Sequence, residues 1–146
     1  MTRSKRIQSI ARLAQADERE AAARLAKTAG EVTEYEKKLE ELKTSRQEYA
    51  RQWQIQDTSM GAAQMKGLWV FIKRLDEVIA NLETQIERKR HASERDRDDW
   101  LVTRNKVRAL DNIVQQHRRL EARVELRKEQ REVDDRAPGC SPSHEP

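Results

Sequence analysis

Apolar residues in the second half of the chain recur at alternating steps of four and three residues, from Leu68 to Val124. The repeat comprises Leu68, Ile72, Leu75, Ile79, Leu82, Ile86, Trp100, Thr103, Val107, Leu110, Val114, His117 and Val124. A sustained repeat of about 3.5 residues is typical of helices that pack in a left-handed coiled coil. The second half is therefore predicted to be one long helix, with the repeat positions forming a single seam.

A polar gap, ERKRHASERDRDD at residues 87–99, interrupts the apolar residues but not the phase of the repeat. It places Lys89, Ser93 and Asp96 at seam positions. We expect ion pairs between side chains on neighbouring turns to hold this stretch in a helix. The alternative is a soft zone at which the coil bends.

The first half carries a matching repeat, which predicts a second long helix. Its seam residues are Ile7, Ala11, Ala14, Ala21, Leu25, Val32, Tyr35, Leu39, Leu42, Tyr49 and Trp53. Arg46 stands at a seam position, where we expect its stem to lie along the seam and its guanidinium to reach water. Gly30 lies inside this helix at a cost of about 1 kcal/mol relative to Ala, and we expect it to be tolerated.

The stretch QDTSMGAAQ, residues 56–64, separates the two repeats and predicts a turn, because it holds helix-capping residues and Gly61. A short connection between two long helices makes them antiparallel neighbours. We therefore predict an all-α fold, an antiparallel coiled-coil hairpin with helix one over about residues 3–56, a turn over 57–62 and helix two over about 63–136. Residues 138–146 are expected to form a disordered tail.

Antiparallel pairing from this turn leaves helix two longer than helix one. The pairing places Leu42 opposite Ile79 and, by extrapolation, Ser4 opposite His117. Helix two then projects by about five turns, and the stretch RVELRKEQREVDD, residues 123–135, lies in this overhang. Nothing else in the chain is left to cover the apolar residues of the overhang.

Composition argues against a compact domain, since 38% of the residues are charged and only 36% are hydrophobic. Such charge with helical periodicity is typical of long helices and coiled coils. No apolar run is long enough to span a bilayer or to form a signal peptide. Cys140 is the only cysteine, so an internal disulfide is excluded and a reducing cytoplasm is expected.

The sequence holds no pattern of an enzyme or a metal site. His91, His117 and His144 are far apart, and no cysteine joins them. The four glycines are isolated, so there is no phosphate-binding loop. Neighbouring acids such as Asp98 and Asp99 point in different directions on an exposed helix, which is unsuited to acid–base catalysis. We expect no catalytic residue, no metal and no cofactor.

Basic residues are concentrated in the two segments that antiparallel pairing brings together, although the net charge is only +4. Residues 1–14 contain four basic residues and no acid, and residues 101–119 contain five basic residues and one acid. The turn end is nearly uncharged and apolar. This asymmetry favours a connector between two partners. A nucleic-acid-binding coiled coil, disfavoured by the acids of the overhang, and a self-assembling scaffold are the alternatives.

Several short motifs occur in the order and spacing of one known family. They are Leu25 in EREAAARLAKTAGE, Leu39, Leu42, Glu48 and Tyr49 in KLEELKTSRQEY, Phe71 and Leu75 after the turn, Trp100, Leu110, and Arg127, Glu129, Gln130 and Asp134 in RKEQREVDD. Over residues 1–137 the chain resembles FliJ, the small coiled-coil component of the flagellar type III export apparatus. The resemblance implies a non-enzymatic, monomeric antiparallel coiled coil similar to the central stalk of rotary ATP synthases.

The resemblance also implies partners: a hexameric export ATPase, the membrane export gate and export chaperones, at the cytoplasmic side of the inner membrane beneath the flagellum. ATPase contacts are expected at Arg3, Arg12, Leu120, Val124, Arg127, Gln130 and Val133. Gate contacts are expected at Leu42, Tyr49, Phe71 and Leu75, with Lys38, Ser45, Val78 and Leu82 beside them. Of the gate set, all but Phe71 also lie on the seam, so packing within the hairpin is a competing interpretation. The ATPase ring would explain why the overhang stays helical.

Overall fold

A computed structural model describes residues 2–55 and 61–136, and two helices account for nearly all of them. Helix α1 spans Arg3–Gln54 and helix α2 spans Ala62–Arg136, where the repeats predict helices over about 3–56 and 63–136. Residues near the start of α1 contact residues near the end of α2, and the end of α1 contacts the start of α2. The predicted fold class, an all-α antiparallel hairpin, is confirmed.

Two predicted segments fall largely outside the described residues. The turn expected at residues 57–62 is described only at Gly61 and Ala62, where α2 begins. The tail expected at residues 138–146, which includes Cys140 and His144, lies wholly outside.

The chain divides into two compact units. The terminal unit combines Met1–Glu18 with Val102–Pro146, and the central unit comprises Arg19–Leu101. Each unit contains one stretch of α1 and one stretch of α2.

The seam of the central unit is confirmed at every predicted position. Ala21, Ile72 and Ile86 are buried, and the other predicted seam residues of this unit are half-buried, including Lys89, Ser93 and Asp96 in the polar gap. A helix in a two-helix hairpin has a single neighbour to pack against, so most seam residues keep one side in contact with water.

Polar contacts across the two helices supplement the thin apolar seam of the central unit. The Nε of Arg46 donates a hydrogen bond of 2.8 Å to Oδ1 of Asp76, a contact between the helices that the sequence did not predict. This contact lowers the pKa of Asp76, chiefly because the carboxylate accepts the hydrogen bond from Arg46. A charged group at a seam position is tolerated because its partner lies beside the seam on the facing helix.

Side chains of the polar gap in α2 also pair with side chains of α1. Lys89 contacts Glu31 at 3.2 Å and lies 4.5 Å from the ring centroid of Tyr35. Arg90 contacts Glu36 at 2.7 Å. An expected ion pair on neighbouring turns is present as well, between Glu87 and Arg90, and His91 lies 3.3 Å from Glu87. The gap is therefore a paired part of the hairpin and not merely a solvated stretch.

The terminal unit packs through small side chains. Ala11 and Ala14 of α1 and Val114 of α2 are buried, as is Ser4. The remaining predicted seam residues of this unit are half-buried up to His117, whereas Val124 is 64% exposed. The seam therefore ends before Val124, and the part of α2 that follows is uncovered, as the unequal helices predict.

The pairing at the start of α1 differs from the extrapolated register. Ser4 was predicted to lie opposite His117, but its hydrogen bonds join it to Glu121, one turn further along α2. The first backbone N–H groups of a helix have no partner within that helix, and the Glu121 carboxylate satisfies one of them. The uncovered part of α2 is therefore about four turns long instead of the predicted five.

Candidate partner-binding surfaces

The overhang continues as a helix without any cover from α1. Every residue from 122 to 136 is exposed, and the apolar side chains there are among the most exposed in the protein. They are Val124, Leu126 and Val133, at 64%, 56% and 62% exposure, preceded by Leu120 at 53%.

These apolar residues lie on two different sides of the overhang. Leu120 and Val124 are four residues apart and share one stripe with Arg127, while Leu126 and Val133 share a second stripe with Gln130. The second stripe lines a shallow groove of about 390 Å³ together with Glu129 and Asp134. At 100° per residue the two stripes are about 120° apart around the helix. A partner that covers both must surround much of the overhang.

The base of the overhang is fixed by Ser4 and Glu121. Oε1 of Glu121 accepts a 3.1 Å hydrogen bond from the backbone N–H of Ser4, and Oε2 accepts a 2.6 Å bond from its hydroxyl. The hydroxyl bond is the main reason that the pKa of Glu121 is lowered, and the backbone bond adds to it. The first turn of α1 contains no acid of its own, so Glu121 supplies the negative charge that a helix N-terminus favours.

A basic groove lies beside the paired part of the terminal unit. Arg12 of α1 and Arg118 of α2 line it with Gln8, Gln15, Gln115 and other residues, around a volume of about 360 Å³. Asp111 is its only acid. The structure thus places all seven residues expected to contact the ATPase in the terminal unit, and all seven are exposed. It does not gather them into one patch, since Arg3 and Arg12 lie on α1, Leu120 lies just before the overhang and the other four lie within it.

The residues expected to contact the gate lie in the central unit, where two of them meet. The rings of Tyr49 and Phe71 cross the helices in an edge-to-face contact, with centroids 4.8 Å apart and planes at 76°. Tyr49 is half-buried, and Phe71 is 43% exposed. Leu42 and Leu75 are half-buried on the seam, so they contribute to packing as well as to the surface.

A groove of about 550 Å³ opens in the central unit around Leu42. It is lined by Lys38, Glu41, Leu42, Ser45, Val78, Asn81, Leu82 and Gln85. All four neighbouring positions that the resemblance implied are in this set. Leu42, Val78 and Leu82 make part of the lining apolar and the other lining residues are polar, which suits an inserted apolar side chain or helix face.

Sequence reasoning missed three residues of the Leu42 groove, namely Glu41, Asn81 and Gln85. Each lies one residue before a seam position and is exposed beside the seam. Counting these flanking positions on both helices would have found them.

Two other kinds of site are absent from the described residues. Among residues 2–55 and 61–136, no group of three His, Cys, Asp or Glu side chains is placed to hold a metal ion. No helix in the same ranges is long and apolar enough to cross a membrane.

The comparison with known families decides the identity of the chain. The family model described as the flagellar FliJ protein matches residues 3–139, which is nearly the whole chain. The chain belongs to the FliJ family. No curated protein and no solved structure shows significant similarity to it. The resemblance expected from the sequence is confirmed, and membership of FliJ, a non-enzymatic family, assigns the chain a role in flagellar protein export with partners in the export machinery.

Proposed function

We propose that this FliJ protein is the stalk of the flagellar export apparatus and that its overhang enters the ring of the hexameric export ATPase. The observation that carries the proposal is the continuation of α2 for about four turns beyond Glu121 with every side chain exposed. In this proposal the ring covers the side chains of the overhang that α1 leaves exposed.

The distribution of apolar residues supports an enclosing partner. Leu120 and Val124 lie on one side of α2, and Leu126 and Val133 lie on another. A flat partner would bury one stripe and leave the other in water, whereas a ring covers both. The overhang also mixes acidic and basic residues, which keeps it soluble before it binds.

The basic residues of the terminal unit support a role in association. Arg3, Arg12 and Arg118 are exposed, and a positive surface accelerates the approach to a negatively charged entrance. We expect their contribution to fall as the salt concentration rises.

The export gate is the second partner in this proposal, and it would bind the central unit through Phe71 and the Leu42 groove. Support comes from the exposed ring of Phe71, which Tyr49 contacts, and from the apolar residues that line the groove. Membership of the family supports export chaperones as further partners and a cytoplasmic position at the inner membrane.

The experiment is co-purification of the chain with its cognate export ATPase, followed by the ATPase rate with and without the chain. We expect binding to the ring and a faster rate. Leu120→Asp with Val124→Asp should abolish both effects and leave the helicity by circular dichroism nearly unchanged, because both residues are exposed. Val102→Asp is the matched control, since Val102 is also on α2 and is 68% exposed but lies outside the overhang. Absence of ring binding by the unmodified chain would reject the proposal.

A further inference from the structure

Apolar side chains are exposed on both sides of the turn, in the central unit. Ile55 follows α1 and is 69% exposed, while Trp69 and Val70 near the start of α2 are 49% and 40% exposed. None of the three lines the Leu42 groove. Trp69 and Val70 share one side of α2 with Lys66 and Lys73, and these four residues are named the tip surface.

Basic residues predominate around the tip surface, and the next acid along α2 is Asp76, which pairs with Arg46. Within the described residues 49–55 and 61–75 the charged residues are Arg51, Lys66, Lys73 and Arg74, with no acid among them. Asp57 is the only acid between residues 49 and 75 of the sequence. In the described ranges no ion pair involves Arg51, Lys66 or Arg74.

Trp69 and Lys73 have the geometry of a side-chain pair at a membrane interface. The Lys73 ammonium lies 5.5 Å from the centroid of the Trp69 ring. Tryptophan favours the boundary between headgroups and acyl chains, because its ring is apolar and its N–H is polar. Lysine reaches from an apolar surface toward phosphate with its long stem. The pair can therefore place the ring in the boundary and the ammonium beside a lipid headgroup.

We propose that the tip surface, formed by Lys66, Trp69, Val70 and Lys73, binds the interface of an anionic lipid bilayer directly. The apolar residues would enter the headgroup boundary, and the basic residues would contact lipid phosphates. Such binding lies on the membrane and does not cross it. It is independent of the ATPase proposal, which depends on the terminal unit.

The position of Phe71 separates this surface from the candidate gate contact. Two residues along a helix correspond to about 160° of separation, so Trp69 and Phe71 lie on nearly opposite sides of α2. Phe71 packs against Tyr49, on the side that leads toward Val78 and the Leu42 groove. The Trp69 side offers exposed apolar groups together with Lys66 and Lys73, which complement anionic headgroups.

The test uses the full chain and sedimentation with vesicles of phosphatidylcholine alone or mixed with phosphatidylglycerol. We expect binding to the mixed vesicles that weakens with salt, and little binding to the neutral ones. The variant Trp53→Phe with Trp100→Phe keeps Trp69 as the single tryptophan. Its fluorescence should shift to shorter wavelength on mixed vesicles only, because the ring leaves water.

Single substitutions then assign the contact to the tip surface. Lys66→Gln and Lys73→Gln should each weaken binding to the mixed vesicles roughly fivefold, since one basic residue near an anionic surface contributes about that factor. Trp69→Ala should weaken it by about tenfold, as expected for withdrawing half of a large apolar ring from the interface. Leu13→Ala is the matched control, because Leu13 is 69% exposed and lies in the terminal unit.

Three results would overturn the proposal. The first is the absence of binding to phosphatidylglycerol vesicles. The second is equal binding by the Trp69→Ala and Leu13→Ala variants. The third is binding that requires the export-gate protein in the vesicles, which would assign the tip surface to a protein partner. Circular dichroism of each variant verifies that the helices are retained.

Discussion

The carboxylate of Glu121 accepts hydrogen bonds from both the backbone N–H and the hydroxyl of Ser4, and so joins the start of α1 to the facing turn of α2. Ser4 is buried, at 5% exposure. This contact marks the last covered turn of α2 and therefore sets where the overhang begins.

We predict that the stability of the hairpin depends on the ionisation of Glu121. Its pKa is lowered in the folded chain, mainly by the hydrogen bond from the Ser4 hydroxyl. A lowered pKa means that the contribution is present above the unfolded value of 4.5 and is lost as the pH falls through the folded value. Glu121→Gln should lower the melting temperature at neutral pH and reduce its decrease on acidification.

Thermal unfolding followed by circular dichroism, at about pH 7 and at about pH 3, measures both effects. Glu125→Gln is the matched control, because Glu125 is exposed on the next turn of α2. If the Glu121 and Glu125 variants show the same dependence on pH, the Ser4 contact does not contribute.

The seam positions could be predicted from the sequence because the helical repeat fixes their spacing, whichever residue stands at each position. Lys89, Ser93 and Asp96 are half-buried although they are polar, since the apolar residues on both sides determine the face that they occupy. Small differences in pitch add up along a coiled coil, however. The pairing extrapolated from the turn was therefore short by one turn at Ser4.

Specific polar partners could not be predicted from the repeat alone. Glu121 occupies the seam position after His117. Because the repeat is identified from apolar residues, it does not indicate that Glu121 makes a contact. Its role depends on the free N–H of Ser4, which the distant start of α1 provides. Arg46 was assigned to water for the same reason, because Asp76 lies beside the seam and not on it.

We predict that Gly30→Ala stabilises the chain by about 1 kcal/mol, the difference between Ala and Gly inside a helix. Gly30 is exposed within α1, and a Cβ atom added there meets no atom within 4 Å. The melting temperature should rise by about 4 °C. Ala29→Gly, at the neighbouring exposed position, should lower it by a similar amount. A decrease for Gly30→Ala would show that the helix needs glycine at this point.

We predict that Phe71→Ala weakens binding to the cytoplasmic domain of the export gate by roughly thirtyfold, as for truncation of an interface hot spot. The ring also packs against Tyr49 across the helices, so the variant should melt at a lower temperature and binding is measured well below it. Isothermal titration calorimetry without lipid gives the affinity. Leu13→Ala, a similar truncation in the terminal unit, should leave it unchanged. Equal affinities for both variants would remove Phe71 from the gate contact.

The overhang is the part of α2 in which we expect the backbone to open most easily. A helix of this length is marginally stable in water when nothing packs against it, and residues 122–136 are all exposed. Amide hydrogens there should exchange faster than those of the buried segment around Ile72 and Ile86, because local opening costs little free energy where few side chains are buried.

Hydrogen exchange measured by mass spectrometry, with and without the export ATPase, tests this prediction and its functional consequence together. In the free chain, peptides from the overhang should exchange fastest within α2. When the ATPase is added, protection should increase in the overhang and remain unchanged around Ile86, because the ring covers only the terminal part of α2. The Leu120→Asp and Val124→Asp double variant should show no added protection. Protection that rises equally along α2 would instead indicate general stabilisation of the hairpin and would contradict insertion of the overhang.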